Sequence, residues 1–106
     1  MVELNKENFD AEVKESELPV LVDFWGPKCG PCMALLPNVH TMADDYTGRV
    51  KFCSVDVSEN RRVAINNKVM ALPTFLFWKD GAEVARISGG DVTLEKIREN
   101  VEALLK

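Results

Sequence analysis

The sequence has three cysteines, one histidine and no run of like charges longer than two. Three is an odd number and too few for a disulfide scaffold. A chain without an export signal sits in a reducing compartment where structural disulfides rarely persist, so a cysteine pair here needs a chemical explanation. The net charge is -4 and no basic stripe is present, which argues against a nucleic-acid partner. The apolar runs are only a few residues long, far short of a membrane span. Glu3, Lys6, Glu7, Asp10, Glu12, Lys14, Glu15 and Glu17 crowd the first twenty residues and leave no signal-peptide stretch, so a soluble, cytoplasmic protein is expected. There is no repeat, linker or low-complexity segment.

What is present is ordinary for a globular protein: 46% apolar and 28% charged residues in 106. That length predicts one domain, residues 1–106, able to fold alone and expected to be a monomer. Val2 to Leu4 reads as an edge strand. Asn8 to Lys14 reads as a short helix with Asn8 as cap and Phe9 and Val13 on one face. Pro19 to Trp25 is nearly all apolar, as a strand buried on both faces would be, with Asp23 the anomaly.

After Gly26 and Pro27, apolar residues from Met33 to Tyr46 repeat at helical spacing, with Pro37 expected to kink the helix. Val50 to Val57 is a second buried strand, and Glu59 to Asn67 a short helix. Thr74 to Trp78 and Ala82 to Ile87 flank an Asp80-Gly81 pair, a strong hairpin signal. Thr93 caps a last helix whose apolar stripe includes Leu94, Ile97 and Val101. The order βαβαβαββα predicts an α/β domain with a mixed sheet of about five strands and helices on both faces. Strands separated by helices should pair in parallel, and the hairpin should add the antiparallel pairing.

Cys29-Gly30-Pro31-Cys32 falls where the buried strand passes into the long helix. In helical backbone the two Cα atoms would lie roughly 5 Å apart, within disulfide reach. Cys29 would sit at the helix N-terminus, where unpaired amides and the helix dipole favour a thiolate, and Lys28 adds a positive charge beside it. Cys32, one turn on, should be more buried and resolve the mixed disulfide. Pro31 suits a first turn, where an N–H has no partner. The residues alone also allow a metal site or inert core cysteines. Zinc normally needs four ligands, and the other candidates are only Cys53 and His40, the latter about 12 Å along a straight helix from Cys32.

Val22-Asp23-Phe24-Trp25, Cys29-Gly30-Pro31-Cys32, Pro37, Leu72-Pro73-Thr74 and Gly89 together resemble the thioredoxin family over nearly the whole chain. The resemblance implies the thioredoxin fold, protein disulfide reduction with Cys29 attacking and Cys32 resolving, and no bound cofactor or metal. It implies a thioredoxin reductase or equivalent electron donor, with oxidised proteins as substrates. It also implies that Pro73 is cis and packs on the cysteine pair, freeing the Leu72 backbone to pair with a substrate strand. From the residues alone, a trans proline before an edge strand is equally open.

Asp23 matches the family's buried carboxylate behind the second cysteine, implied to be the general base for Cys32; a strand-end Asp bonded to backbone amides is the alternative. Trp25, Lys28, Gly30, Pro31, Met70, Ala71, Leu72, Pro73 and Gly89 are the implied substrate-contacting residues, with Gly26 and Gly90 in the surrounding groove. The alternatives for them are plain packing, turn formation or, for Lys28, a solvated charge.

Two positions depart from the family. Pro27-Lys28 stands where it usually has a second tryptophan, which bears on partner recognition, and Ser54 stands where it tends to have a lysine near the aspartate. Losing that cation should leave the Asp23 pKa higher. Cys53 reads as a core residue, with regulatory oxidation as the alternative, and His40 as an exposed helix residue. Other functions compatible with these residues are a reductase dedicated to one partner enzyme, an oxidant or isomerase of exported proteins, and a redox-independent interaction module using the same groove.

Overall fold

The computed structural model describes residues Met1–Lys106. Five strands, β1 (Val2–Glu3), β2 (Val20–Trp25), β3 (Lys51–Asp56), β4 (Thr74–Lys79) and β5 (Ala82–Ser88), form one sheet in the order β1-β3-β2-β4-β5. Three helices, α1 (Gly30–Asp45), α2 (Arg61–Asn66) and α3 (Leu94–Leu104), cover it. This is the expected α/β architecture.

The alternation of side chains along a strand divides the core into two layers. Val20, Val22 and Phe24 of β2 face one way, with Leu76 and Trp78 of β4 and Val63 of α2. Leu21, Phe75 and Phe77 face the other way, onto Val39 and Met42 of α1 and Ile97 and Val101 of α3. Both faces of the central strands are therefore dry, which is why β2 reads as a continuous apolar run. Each fully buried aliphatic or aromatic side chain contributes about 1.5–3 kcal/mol relative to leaving it exposed.

The pairing differs from expectation at one place. β1 and β2 pair with β3 in parallel, but β4, although a helix precedes it, pairs antiparallel with the middle strand β2 as well as with β5. The chain leaves β3 at one side of β2 and re-enters at the other, so the helix between β3 and β4 does not connect neighbours.

The N-terminal helix also differs. Asp10–Lys14 is a wide π-helical turn, in which the Glu15 amide donates to the Asp10 carbonyl at 3.0 Å. Asn8 does not cap it. No side chain does; Asn5 instead holds the turn that precedes it, its Oδ1 accepting from the amides of Glu7 (2.9 Å) and Asn8 (3.0 Å), while the Asn8 side chain bonds back to the Asn5 amide and the Glu3 carbonyl. The Asn8 side chain is thus engaged with residues before it and does not turn to the amides of Asp10 and Ala11 that a cap would take. Phe9 and Val13 are still buried together.

Thr93 caps α3 as expected, accepting from the Lys96 amide at 3.1 Å. Pro37 stands inside α1 and is exposed.

Asp80 and Gly81 both have positive φ, 53° and 79°, the conformation that a two-residue hairpin demands. A Cβ on Gly81 would also lie 3.0 Å from the Lys14 carbonyl, whereas one on Gly48, at φ 81°, would meet nothing. Gly81→Ala is expected to cost about 1–2 kcal/mol for backbone conformation alone, and more than Gly48→Ala. Urea unfolding midpoints of the two variants check this. Equal losses would contradict the close contact with Lys14.

Candidate active site

β2 delivers Trp25 at the edge of the core, and Gly26 turns the chain toward α1. Gly26 is buried, and a Cβ there would sit 3.4 Å from Leu72 Cδ1, an ordinary contact distance, which places this turn against the segment before Pro73. The Cys29 amide donates to the Gly26 carbonyl at 3.0 Å and closes the turn. Cys29 has extended backbone (φ −89°, ψ 103°) and is the N-cap of α1, a 16-residue helix with Pro31 in its first turn.

The cap is the sulfur itself: the Cys32 amide donates to Cys29 Sγ at 3.2 Å. Cys29 and Cys32 form a disulfide with Cα atoms 5.3 Å apart. Cys29 is half-buried, and Cys32 is 3% exposed beneath it. The asymmetry expected from the sequence is therefore present.

Asp23 is 2% exposed. By strand alternation it shares a face with Leu21, the face that α1 covers, and it lies two residues nearer the end of β2 from which the chain passes into Cys29. Its lateral neighbours are Ser54 on β3 and Phe75 on β4. Burial alone lifts its pKa from 3.8 to about 7; neither a hydrogen bond nor a nearby charge contributes. No backbone amide holds the carboxyl.

Leu72–Pro73 is cis. Pro73 is buried, and its carbonyl accepts from the Gly89 amide at 2.8 Å, which brings Gly89 beside it. The amides of Met70, Ala71 and Leu72 make no backbone hydrogen bond. Met70 is 95% exposed, an unusual state for a large apolar side chain.

Met70, Ala71 and Leu72 line one apolar groove of about 480 Å³ with Val57, Arg61, Ile65 and Val69. Trp25 does not line it. It borders a separate cavity of about 380 Å³ with Glu3, Ser54, Asp56 and Glu59. Lys28, Gly30, Pro31 and Gly90 are exposed and line neither cavity. The expected groove residues are thus split between two cavities and the open surface around the disulfide. Val57, Arg61 and Ile65 were not legible as groove residues, because their positions beside Met70 depend on how α2 packs; the one signal was Ile65 on a two-turn helix.

The thioredoxin family model matches residues 1–103. The chain belongs to the thioredoxin family. It is 41% identical to the thioredoxin of Acetoanaerobium sticklandii over 106 residues, all of this chain and 97% of that protein. It is 41% identical to the thioredoxin of Peptoclostridium acidaminophilum over 105 residues, 99% and 92% of the two chains. With thioredoxin 1 of Synechococcus elongatus it shares 43% over 81 residues, 76% of each. The protein is accordingly a protein disulfide oxidoreductase working by dithiol–disulfide exchange, with Cys29-Cys32 as its redox pair. Thioredoxins use no external cofactor, and they normally work with a thioredoxin reductase and disulfide substrates.

The thioredoxin comparison gives the two departures a location. Ser54, where the family tends to have lysine, is the register partner of Asp23, so no cation faces the carboxyl from β3 on that side. Lys51 projects to the opposite face, where its Nζ is 3.6 Å from Glu12. Lys28 is exposed one residue before Cys29.

Cys53 is fully buried, and burial pushes its thiol up to about 12, the core role expected for it. His40 is exposed on α1. No group of three or more His, Cys, Asp or Glu side chains is placed to hold a metal ion, and no helix is long and apolar enough to cross a membrane. A surface cavity of about 840 Å³ lies between α1 and α3, beside Thr41 and Arg98, and includes neither cysteine.

In the unfolded chain the Asp23 carboxyl ionises near 3.8 and in the folded protein near 7. Between those values the folded state holds a proton that the unfolded state has lost, so stability is fully present below 3.8 and falls as pH rises through about 7. Asp23→Asn is expected to stabilise the oxidised protein by roughly 4 kcal/mol at pH 8 and by far less at pH 4. Denaturant unfolding at the two pH values checks this; an equal effect at both would contradict the burial argument.

Proposed function

We propose that residues 1–106 act as one domain, a cytoplasmic, monomeric reductase of protein disulfides in which Cys29 attacks, Cys32 resolves and Asp23 moves the proton. The observation that carries the assignment is the placing of Cys29 as N-cap of α1 with the Cys32 amide aimed at its sulfur. A helix start favours a thiolate over a thiol, and exposed Lys28 adds to that field.

In the reduced protein the Cys29 thiolate attacks one sulfur of a substrate disulfide. The substrate S–S bond breaks, a mixed disulfide forms and the first substrate sulfur leaves as a thiolate that takes a proton from water. Cys32 then loses its proton to the Asp23 carboxylate and attacks Cys29 Sγ; the mixed-disulfide bond breaks and the second substrate sulfur leaves as a thiolate that takes a proton from water. Two electrons have passed from the protein's dithiol to the substrate, and Cys29-Cys32 is left as the disulfide seen here. A dithiol donor, thioredoxin reductase or its equivalent, restores the thiols by the reverse exchange. Both electrons travel on sulfur, so the reading needs no cofactor.

Oxidised proteins are the substrates this surface suits. The unpaired amides of Met70 to Leu72 offer an extended peptide a strand to pair with, and the apolar groove beside them gains from covering Met70 and Ile65. On this reading Trp25, Lys28, Gly30, Pro31, Pro73 and Gly89 supply the rest of the substrate contact. Main-chain pairing makes little demand on substrate sequence, which fits many targets better than one.

Cys32→Ser is expected to accumulate the mixed disulfide on Cys29 with oxidised protein substrates, visible as a mass adduct that a dithiol removes; an adduct on Cys53 or none at all would overturn the roles. For Asp23 the sign is that of a base ionising near 7: resolution in the parent protein should speed up as pH rises through that value. Asp23→Asn should lose the rise and resolve about a hundredfold more slowly. A stopped-flow profile unchanged by the substitution would remove Asp23 from the mechanism.

A further inference from the structure

The segment Met70 to Leu72 is fixed at its far end by Pro73, through the Gly89 amide, and by Thr74, whose Oγ1 donates to the Ala71 carbonyl. Its near end begins at the C-terminus of α2, where Lys68 has left-handed backbone, φ 56°. The side chain that holds this end comes from β5, the edge strand beside β4. Arg86 of β5 donates to the carbonyls of Asn67 (Nη2, 2.9 Å) and Lys68 (Nη1, 3.1 Å). The same guanidinium is gripped by Glu83, with Nε and Nη2 each 2.7 Å from its carboxylate.

Glu83 and Arg86 are three apart on one strand, and in a regular strand such residues point to opposite faces. They meet because β5 carries a bulge. Leu76 pairs with Arg86 and Phe77 with Ala85, but Trp78 pairs with Glu83, which leaves Val84 as the extra residue. The bulge shifts the alternation by one, so Glu83 and Arg86 stand opposite Trp78 and Leu76, both on the face that α2 covers. The carboxylate fixes the planar fork, and the fork holds two carbonyls that α2 leaves free at its end.

We propose that Arg86, set by Glu83 and the Val84 bulge, is a positioning residue that holds the Met70–Leu72 backbone where a protein substrate pairs with it, and so sets affinity for protein disulfides. The inference rests on the reading of that segment as the substrate-pairing strand. Arg86 touches neither sulfur, and a small disulfide that reaches Cys29 without the segment does not use it. The clamp therefore governs which class of disulfide is reduced efficiently, not the exchange chemistry.

The test compares Arg86→Ala, Arg86→Lys and Glu83→Gln with the parent on two substrates, insulin as a protein disulfide and 5,5′-dithiobis(2-nitrobenzoate) as a small one. Met70→Asp serves as an independent probe of the groove. For Arg86→Ala, KM for insulin is expected to rise about tenfold, the effect of losing charge-assisted hydrogen bonds, with kcat and the small-disulfide rate within about twofold. Arg86→Lys should not restore KM, because one ammonium cannot span two carbonyls and a carboxylate.

Glu83→Gln should shift KM the same way by about threefold, and it carries the test if Arg86→Ala does not fold. An unchanged insulin KM in Arg86→Ala while Met70→Asp raises it would overturn the clamp and leave the docking segment standing. Unchanged KM in both would remove the docking reading as well. Equal loss on both substrates would show Arg86 acting on the whole fold and would also overturn the proposal.

Discussion

One sulfur atom at the start of a helix is the constraint on which the rest of the molecule depends. Cys29 caps α1 with its side chain, accepting the Cys32 amide at 3.2 Å, and the same turn brings Cys32 within disulfide reach. A thiolate there is stabilised by amides that the helix leaves unpaired, so the nucleophile and its resolving partner come from a single structural feature. For the feature to hold still, the strand before it must be rigid. β2, buried on both faces and paired on both edges, supplies that rigidity, and the buried Gly26 turn lies beside Leu72.

Asp23 works against the stability that the remainder of the sheet provides. A carboxyl in the middle of an apolar strand, with no hydrogen bond and no cation beside it, disfavours the folded state once it ionises. Ser54 at the neighbouring position leaves that strain unrelieved. The arrangement makes sense if the proton, rather than the fold, is what the residue serves. The exposed Met70 and the unpaired amides beside it follow the same logic, since groups left unsatisfied in the free protein are those a partner would satisfy.

Much of the fold was legible because it rests on local rules. Alternation placed the buried strands, Asp80-Gly81 announced a hairpin whose two φ values are positive, and Thr93 capped the helix it precedes. The redox pair was legible for the same reason, as both of its sulfurs belong to one helical turn. What escaped depends on contacts between distant residues. Asn8 bonds back to Asn5 and Glu3 instead of capping, a choice that propensity alone does not rank, and β4 entered beside β2 where helix-separated strands had implied parallel pairing. The Val84 bulge has no sequence signature here. The Arg86 bonds it allows, 18 and 19 residues from their acceptors, could not be read from spacing.

The most direct test of the account is the pH dependence of Cys29 alkylation in the folded, reduced protein, followed by mass spectrometry so that each cysteine is read separately. If the helix start holds the sulfur ionised, Cys29 should become reactive at lower pH than a free thiol, and react while Cys32 and Cys53 remain largely unmodified. A Cys29 that titrates and reacts like a free cysteine would contradict the central claim.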